Sequence, residues 1–179
     1  HADTFINTHI IPHIDTDIAT IFGYYVSDPK RYGIVELSDE GGVVSIEEKP
    51  SQPKSNYAIT GLYIFNSDVS SIAKRLTPSA RGETEIVDII RHYQAIGALK
   101  VELLGRGVAW LDTGTHSSLY EASVYIQVLE NRQGLKIGCL EEIAFTKGYI
   151  TGDELRNIAN GFKNSTYADY LLKIANRVP

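Results

Sequence analysis

The sequence predicts a mixed α/β domain followed by a helical tail. Three observations carry that expectation. Residues 17–26 and 57–65 are nearly continuous apolar runs rich in β-branched and aromatic side chains, as in strands buried on both faces. Ile86, Ile89, Ile90 and Tyr93 recur at helical spacing. From residue 135 onward, capping patterns accumulate and strand signals fade.

Taken in order, "DIATIFGYYV" (17–26) is the first buried strand. "SDPKRYG" is a loop, because Pro29 disfavours helix before it and Gly33 permits unusual dihedrals. "IVELSDEGGVVSIEE" reads as a hairpin turning at 39–42. The proline-punctuated "KPSQPKSN" leads into "YAITGLYIF", a strand in which Gly61 marks a place for close approach by a ligand or another backbone. Ser67 or Asp68 is placed to cap a short helix through Leu76. After the loop "TPSARGE" comes the helix of the 86–93 repeat, stopped by Gly97. Residues 98–104 and 108–111 are expected strands around the "GRG" turn, so Asp112 is expected just past a strand end. A long helix runs from about His116 to Gln133 and ends at Gly134. In the tail, "TGDE" (151–154) has a capping-box pattern, and "STYADYLLKIANRV" is an amphipathic last helix. The expected division is an α/β part over 1–134 and a helical segment over 135–179.

The composition is that of an ordinary globular chain of 179 residues, 43% hydrophobic and 22% charged. A formal charge of −5 offers no basic footprint, so no nucleic-acid partner is expected. No apolar run approaches the ~20 residues of a membrane span, and no signal peptide is recognisable. The single cysteine, Cys139, excludes an internal disulfide, reads as a core residue and suits a reducing cytoplasm. His1, His9, His13, His92 and His116 make no metal-binding spacing, and Pro12 breaks the one i, i+4 pair, so zinc is not expected. The opening "HADTF" runs straight into an apolar segment, as though the chain were entered midway.

Ligands of open α/β sheets gather at loops beyond strand ends, and four segments put charge or exposed backbone there: "KRYG", "EEKP", "SARGE" and "WLDTGT". Glu48 can accept hydrogen bonds from sugar hydroxyls and Lys49 offers a point charge to a phosphate. The bland alternative is a solvated charge run. Arg81 is suited to bidentate phosphate recognition, with Gly82 opening the backbone and Glu83 available to a hydroxyl. Equally, Arg81 is an ordinary loop arginine paired with Glu83 or Glu85. Asp112 fits a hard oxygen-preferring cation such as Mg²⁺, or serves as a turn or cap residue. Thr115 is a second candidate cap for the same helix.

Together, "DPKRYGIVEL", "SIEEKPSQPKSNYAITGLYIF", "PSARGETEIVDI", "GRGVAWLDTGTHSSLYEAS" and "RQGLKIGCLEEIAF" resemble, in order and spacing, segments of the bacterial glucose-1-phosphate thymidylyltransferases. That family makes dTDP-glucose and pyrophosphate from dTTP and glucose 1-phosphate. The similarity runs from about Ser27 to the C-terminus. It implies part of a Rossmann-like mixed-sheet nucleotidyltransferase domain with a helical C-terminal tail, which in the family packs subunits into a homo-oligomer, a tetramer.

The resemblance also implies roles. Tyr32 and Gly33 match the sugar-contacting pair, Glu48 the hydroxyl-binding glutamate, and Lys49 the lysine on the sugar phosphate. Ile59 matches a residue whose backbone touches glucose, Arg81 the arginine at the phosphates, and Trp110 a residue lining the pocket. Asp112 resembles one of two aspartates holding catalytic Mg²⁺. "ADTFINTH" is similar to the segment carrying the other, which makes Asp3 its counterpart, although Ala2 and Thr4 depart from the family's Gly and Asn. Arg106, Glu142 and Ile143 fall in segments resembling a regulatory nucleotide site, where Thr146 replaces a frequent basic residue.

One departure is larger. The family's nucleotide-binding half opens with a glycine-rich "GGxGTR" loop that this sequence does not contain. The expectation is therefore a C-terminal part of an enzyme whose N-terminal half is a missing or separate segment. Two alternatives stay open: a pyrophosphorylase for another nucleotide or sugar, and a non-catalytic sugar-phosphate-binding or regulatory module.

Overall fold

The computed structural model describes residues 17–79, 82–162 and 164–176. The chain divides into two compact units, His1–Leu111 and Asp112–Pro179. The long helix thus falls in the second unit, whereas the sequence reading grouped it with the first.

The first unit is built on a five-stranded sheet of β1 (Ala19–Tyr25), β2 (Gly33–Leu37), β3 (Val43–Glu48), β4 (Tyr57–Ile64) and β5 (Leu99–Leu104), in the order β3-β2-β4-β1-β5. β1 pairs antiparallel with β4 and parallel with β5, so it is flanked on both sides. That position explains its apolar sequence: Ala19, Ile21 and Phe22 are fully buried. β2 and β3 form the expected hairpin, whose turn closes through Ser38. β4 continues unbroken through Gly61, where a Cβ would meet no described residue within 4 Å.

Two helices cover the sheet edges and faces. α1 (Val69–Ala73) contributes Ile72 to the core, and α2 (Ile86–Ala95) contributes Val87, Ile89, Ile90 and Tyr93. The side chains of Ser67 and Asp68 do not cap α1. Instead Asn66 Oδ1 accepts the Asp68 N–H and the Tyr93 hydroxyl. Ile86, the first residue of α2, is largely exposed, and Val87 takes its place on the apolar face. Val87 and Ile90 join Ile21, Val35, Ile46 and Ile59, while Ile89 and Tyr93 join Ala19 and Ile72. Each such aliphatic side chain contributes about 1.5–3 kcal/mol of burial free energy. Residues 108–111 are not a strand: β5 ends at Leu104 and irregular backbone follows. With no second strand to pair, the "GRG" turn closes only through Val108 N–H to Gly105 O.

The second unit is helical: α3 (His116–Gln133), α4 (Leu140–Thr146), α5 (Gly152–Gly161) and α6 (Thr166–Ala175). Thr115 caps α3 in a reciprocal box with Ser118, and Gly134 ends it in the left-handed conformation, φ 64°. The "TGDE" box forms as read, between Thr151 and Glu154. Cys139, Leu155, Ala159, Tyr170, Leu171 and Ile174 make the core, with Cys139 the buried residue expected. No helix among the described residues is long and apolar enough to cross a membrane.

Candidate functional site

Strand register brings the first group of site residues together. Gly33 lies opposite Glu48 in the β2–β3 ladder, and Lys49 N–H donates to the Tyr32 carbonyl at 3.1 Å. Tyr32, Gly33, Glu48 and Lys49, read from two separate motifs, are therefore one patch. Alternation along β3 sends its two terminal glutamates apart. Glu47 pairs with Lys54 at 3.2 Å, while Glu48 turns towards Gly33. A Cβ on residue 33 would stand 3.1 Å from Glu48 Oε2, 3.4 Å from Val87 Cγ2 and 3.7 Å from Ile59 Cδ1. A methyl at residue 33 would press on the Glu48 carboxylate and oblige it to give by a few tenths of an ångström, and the same contacts put Ile59 and Val87 beside that carboxylate.

Tyr63 belongs to the same patch. Burial raises its hydroxyl above the usual range, and the nearby Glu48 charge raises it further. The sequence reading missed both Tyr63 and Val87. For Tyr63 a signal existed, since residues 59 and 63 of one strand point to one face.

Lys49 is a non-glycine residue in the left-handed region, φ 42°, followed by the buried Pro50. Such a backbone costs on the order of 1–3 kcal/mol and persists where surrounding bonds enforce it. Here the Tyr32 carbonyl does so. Its ammonium is exposed, 3.9 Å from Glu48 Oε1.

One wall is aromatic. The Trp110 ring centroid lies 5.1 Å from that of Tyr32 and 5.9 Å from that of Tyr24, and the Arg31 guanidinium lies 5.4 Å from the Tyr32 ring. Trp110 therefore joins the patch by edge-on and tilted ring contacts from irregular backbone rather than from the strand expected for it. In the loop before α2, Gly82 N–H donates to Ser79 O, and Ser79 N–H donates to Glu83 O, both at 2.8 Å. That tight turn leaves Glu83 exposed. Arg81 and Asp3 lie outside the described residues.

Asp112 opens the second unit. It does not stand at a strand end, as expected, but well past the last residue of β5. Its Oδ1 accepts the Gly114 N–H at 3.0 Å, so it makes the turn that the alternative reading foresaw. Capping is left to Thr115, whose Oγ1 accepts the Ser118 N–H at 3.1 Å. A carboxylate is the hard oxygen donor that Mg²⁺ prefers, and one or two carboxylates completed by phosphates and waters make a usual Mg²⁺ shell, so the chemistry of Asp112 fits that role. Among the described residues, no three His, Cys, Asp or Glu side chains gather as a metal site.

The residues matched to a regulatory site fall in both units. Arg106 lies in the exposed 105–108 turn of the first unit. Glu142 and Ile143 lie on α4 in the second, where the Glu142 carboxylate accepts the Tyr170 hydroxyl. Burial, and then this bond, pushes Tyr170 up to about 12.

Comparison with known proteins decides the kinship. The model of the nucleotidyl transferase family matches residues 3–128. The chain belongs to that family. The glucose-1-phosphate thymidylyltransferase of Xanthomonas campestris pv. campestris is 50% identical over 159 residues, 89% of this chain and 54% of its own. The enzyme of the same name from Neisseria meningitidis serogroup A is 48% identical over 159 residues, 89% of this chain and 55% of its own. The family resemblance of the five motifs is thereby borne out. The chain spans about half the length of the curated relatives it matches.

Solved structures agree on the fold. One from Bacillus anthracis, assigned as a glucose-1-phosphate thymidylyltransferase and in complex with sucrose, is 38% identical with a TM-score of 0.55, covering 69% of this chain and 46% of that one. A UDP-glucose pyrophosphorylase complexed with UDP-glucose has a TM-score of 0.53 at 23% identity, over 60% of this chain and 43% of that one, and speaks for the fold alone. The α/β class read from the sequence is that of these family members.

Proposed function

We propose that this chain supplies the sugar-phosphate-binding part of a glucose-1-phosphate thymidylyltransferase. The observation that carries the proposal is the convergence of Glu48, Gly33, Ile59 and Lys49 from three strands onto one patch beside Trp110 and Tyr32. A carboxylate that accepts hydroxyl protons next to a mobile ammonium, against an apolar and aromatic wall, suits a phosphorylated sugar.

In the proposed reaction, an oxygen of the glucose 1-phosphate phosphoryl group attacks the α-phosphorus of dTTP. The new O–P bond makes dTDP-glucose, and the bond to the β,γ-phosphates breaks to release pyrophosphate. No covalent enzyme intermediate is needed, so the protein's work is positioning and charge neutralisation. Glu48 fixes sugar hydroxyls, the backbone of Ile59 and Gly33 fits the ring, and Lys49 with Arg81 holds the attacking phosphate. Glu83 would take a further hydroxyl. Asp112, with Asp3, would hold Mg²⁺, which neutralises phosphate charge when bound. A homo-oligomeric state and a cytoplasmic setting come with the same reading, supported by kinship with the thymidylyltransferases, and so does nucleotide regulation through Arg106, Glu142 and Ile143.

The chain's only tryptophan, Trp110, meets the Tyr32 ring edge-on in the proposed site and serves as a built-in reporter. Titration with glucose 1-phosphate is expected to change its fluorescence saturably, and Glu48→Gln to weaken the response about tenfold, as for the loss of a charged hydrogen-bond partner. A Trp110 signal indifferent to glucose 1-phosphate sinks the reading of this patch. Turnover is checked with the whole gene product by pyrophosphate release from dTTP, glucose 1-phosphate and Mg²⁺.

A further inference from the structure

Strand β3 carries Glu48, with Lys49 just past its end, yet among the described residues it is an edge strand paired with β2 alone. Edge strands leave a row of backbone groups unpaired and yield more readily than interior ones. The Lys49–Tyr32 bond sets the phase of the β2–β3 ladder. Alternation back along β3 then turns the Ile46 carbonyl outward, away from β2. Arg91 of α2 closes on that carbonyl with a fork, Nε at 3.1 Å and Nη2 at 2.9 Å. Its third nitrogen, Nη1, donates to Asp88 at 2.9 Å, which fixes the plane of the guanidinium. One turn on, Gln94 Nε2 reaches the Val43 and Val44 carbonyls, each at 3.3 Å. Asp88, Arg91 and Gln94 thus form one stripe of α2 that stands in for the missing neighbour strand.

We infer that Arg91 is a positioning residue of the sugar-phosphate site, acting by holding the edge of β3 so that Glu48 and Lys49 are presented in register. The inference rests on the proposed function for its consequence in binding, and on the geometry alone for the tether. Ile46 precedes Glu48 by two residues on the same face of β3, and Lys49 keeps its left-handed backbone only while the strand end stays against Tyr32. The same helix contributes Val87, which packs at Gly33 beside the Glu48 carboxylate. Arg91 therefore ties the helix that lines the site to the strand that arms it. Lysine is a poor substitute, because its single ammonium cannot reproduce a planar fork.

The test compares the unsubstituted chain with Arg91→Ala and Arg91→Lys by amide hydrogen exchange and by glucose 1-phosphate titration of Trp110 fluorescence. Arg91→Ala is expected to speed exchange at the Lys49 amide about tenfold, to leave the amides of β1 and β4 unchanged, and to weaken glucose 1-phosphate about tenfold. Arg91→Lys recovers part of both losses. Unchanged Lys49 exchange and affinity in folded Arg91→Ala overturn the inference, as does faster exchange spread evenly over the sheet, which marks a role in stability alone. Should Arg91→Ala fail to fold, Arg91→Lys and Gln94→Ala carry the same comparison. If the unsubstituted chain ignores glucose 1-phosphate, the proposed function falls, while exchange at Lys49 still decides whether Arg91 holds the strand.

Discussion

Glu48 and Asp112, the carboxylates central to the proposed chemistry, are held in opposite ways. Glu48 sits where β2, β3, β4 and α2 meet, against Gly33, Ile59 and Val87, residues up to 39 positions away in the chain. Asp112 takes its place from its next neighbours, through the Gly114 N–H and the Thr115–Ser118 box. The first region is organised by non-local burial and ladder register, and from Asp112 onward turns and caps set the local frame. Damage should therefore spread differently. A core defect under the sheet disturbs Glu48 through many partners, whereas a lost cap near Asp112 costs one bond.

The largest effect should come from breaking the sheet side at its core. Ile90 is fully buried among Val35, Ile46 and Ile59, so Ile90→Ala is expected to remove about 2–5 kcal/mol in chemical denaturation. A loss under ~1 kcal/mol would mean that the sheet region is not held by this core. Gly33→Ala sharpens the same point without a cavity. The new methyl would crowd the Glu48 carboxylate at 3.1 Å, so glucose 1-phosphate binding should weaken about tenfold while stability falls by about 1 kcal/mol. Native affinity in that variant would sever Glu48's placement from its function.

On the other side, Thr115→Ala should cost about 1 kcal/mol, read as the denaturation midpoint of the helical unit, with binding at the Glu48 patch unchanged. A fall in that binding would break the contrast drawn here. The smallest effect tests a long-range exception in the helical unit. Tyr167 donates to Glu141 Oε2 at 2.5 Å, and this bond, ahead of all other causes, holds the Glu141 carboxyl below its ordinary value. A depressed carboxyl contributes stability above its unfolded value, about 4.3, and loses it as pH falls through the folded one. Tyr167→Phe should therefore move acid unfolding of this unit to higher pH by a fraction of a unit, with little change at pH 7 beyond the lost hydroxyl contact. An unshifted acid midpoint would show that the pair carries no linkage.

Legibility in the sequence followed the same divide. The hairpin, both buried strands, α2, α3, the Thr115 cap and the capping box at 151–154 were readable, because period, turn chemistry and caps act within a few residues. The 108–111 strand was misread, since four apolar residues look alike in a strand and in a loop folded over aromatic rings. Ile86 was misplaced for a related reason: spacing names a helix face but not where the helix begins.

By itself, the sequence determined the α/β class, the element order, the family motifs and the chemical types at the site, all of which are local or compositional properties. Only the tertiary structure decided that Glu48 crowds the space beside Gly33, that Tyr63 and Val87 belong to the patch, and that Arg91 closes on the Ile46 carbonyl of β3. It also decided that Asp112 forms its own turn rather than ending a strand. Those facts depend on strand register and on which carbonyls the ladder leaves unpaired, and pairing between distant segments is not written in the periodicity of either one.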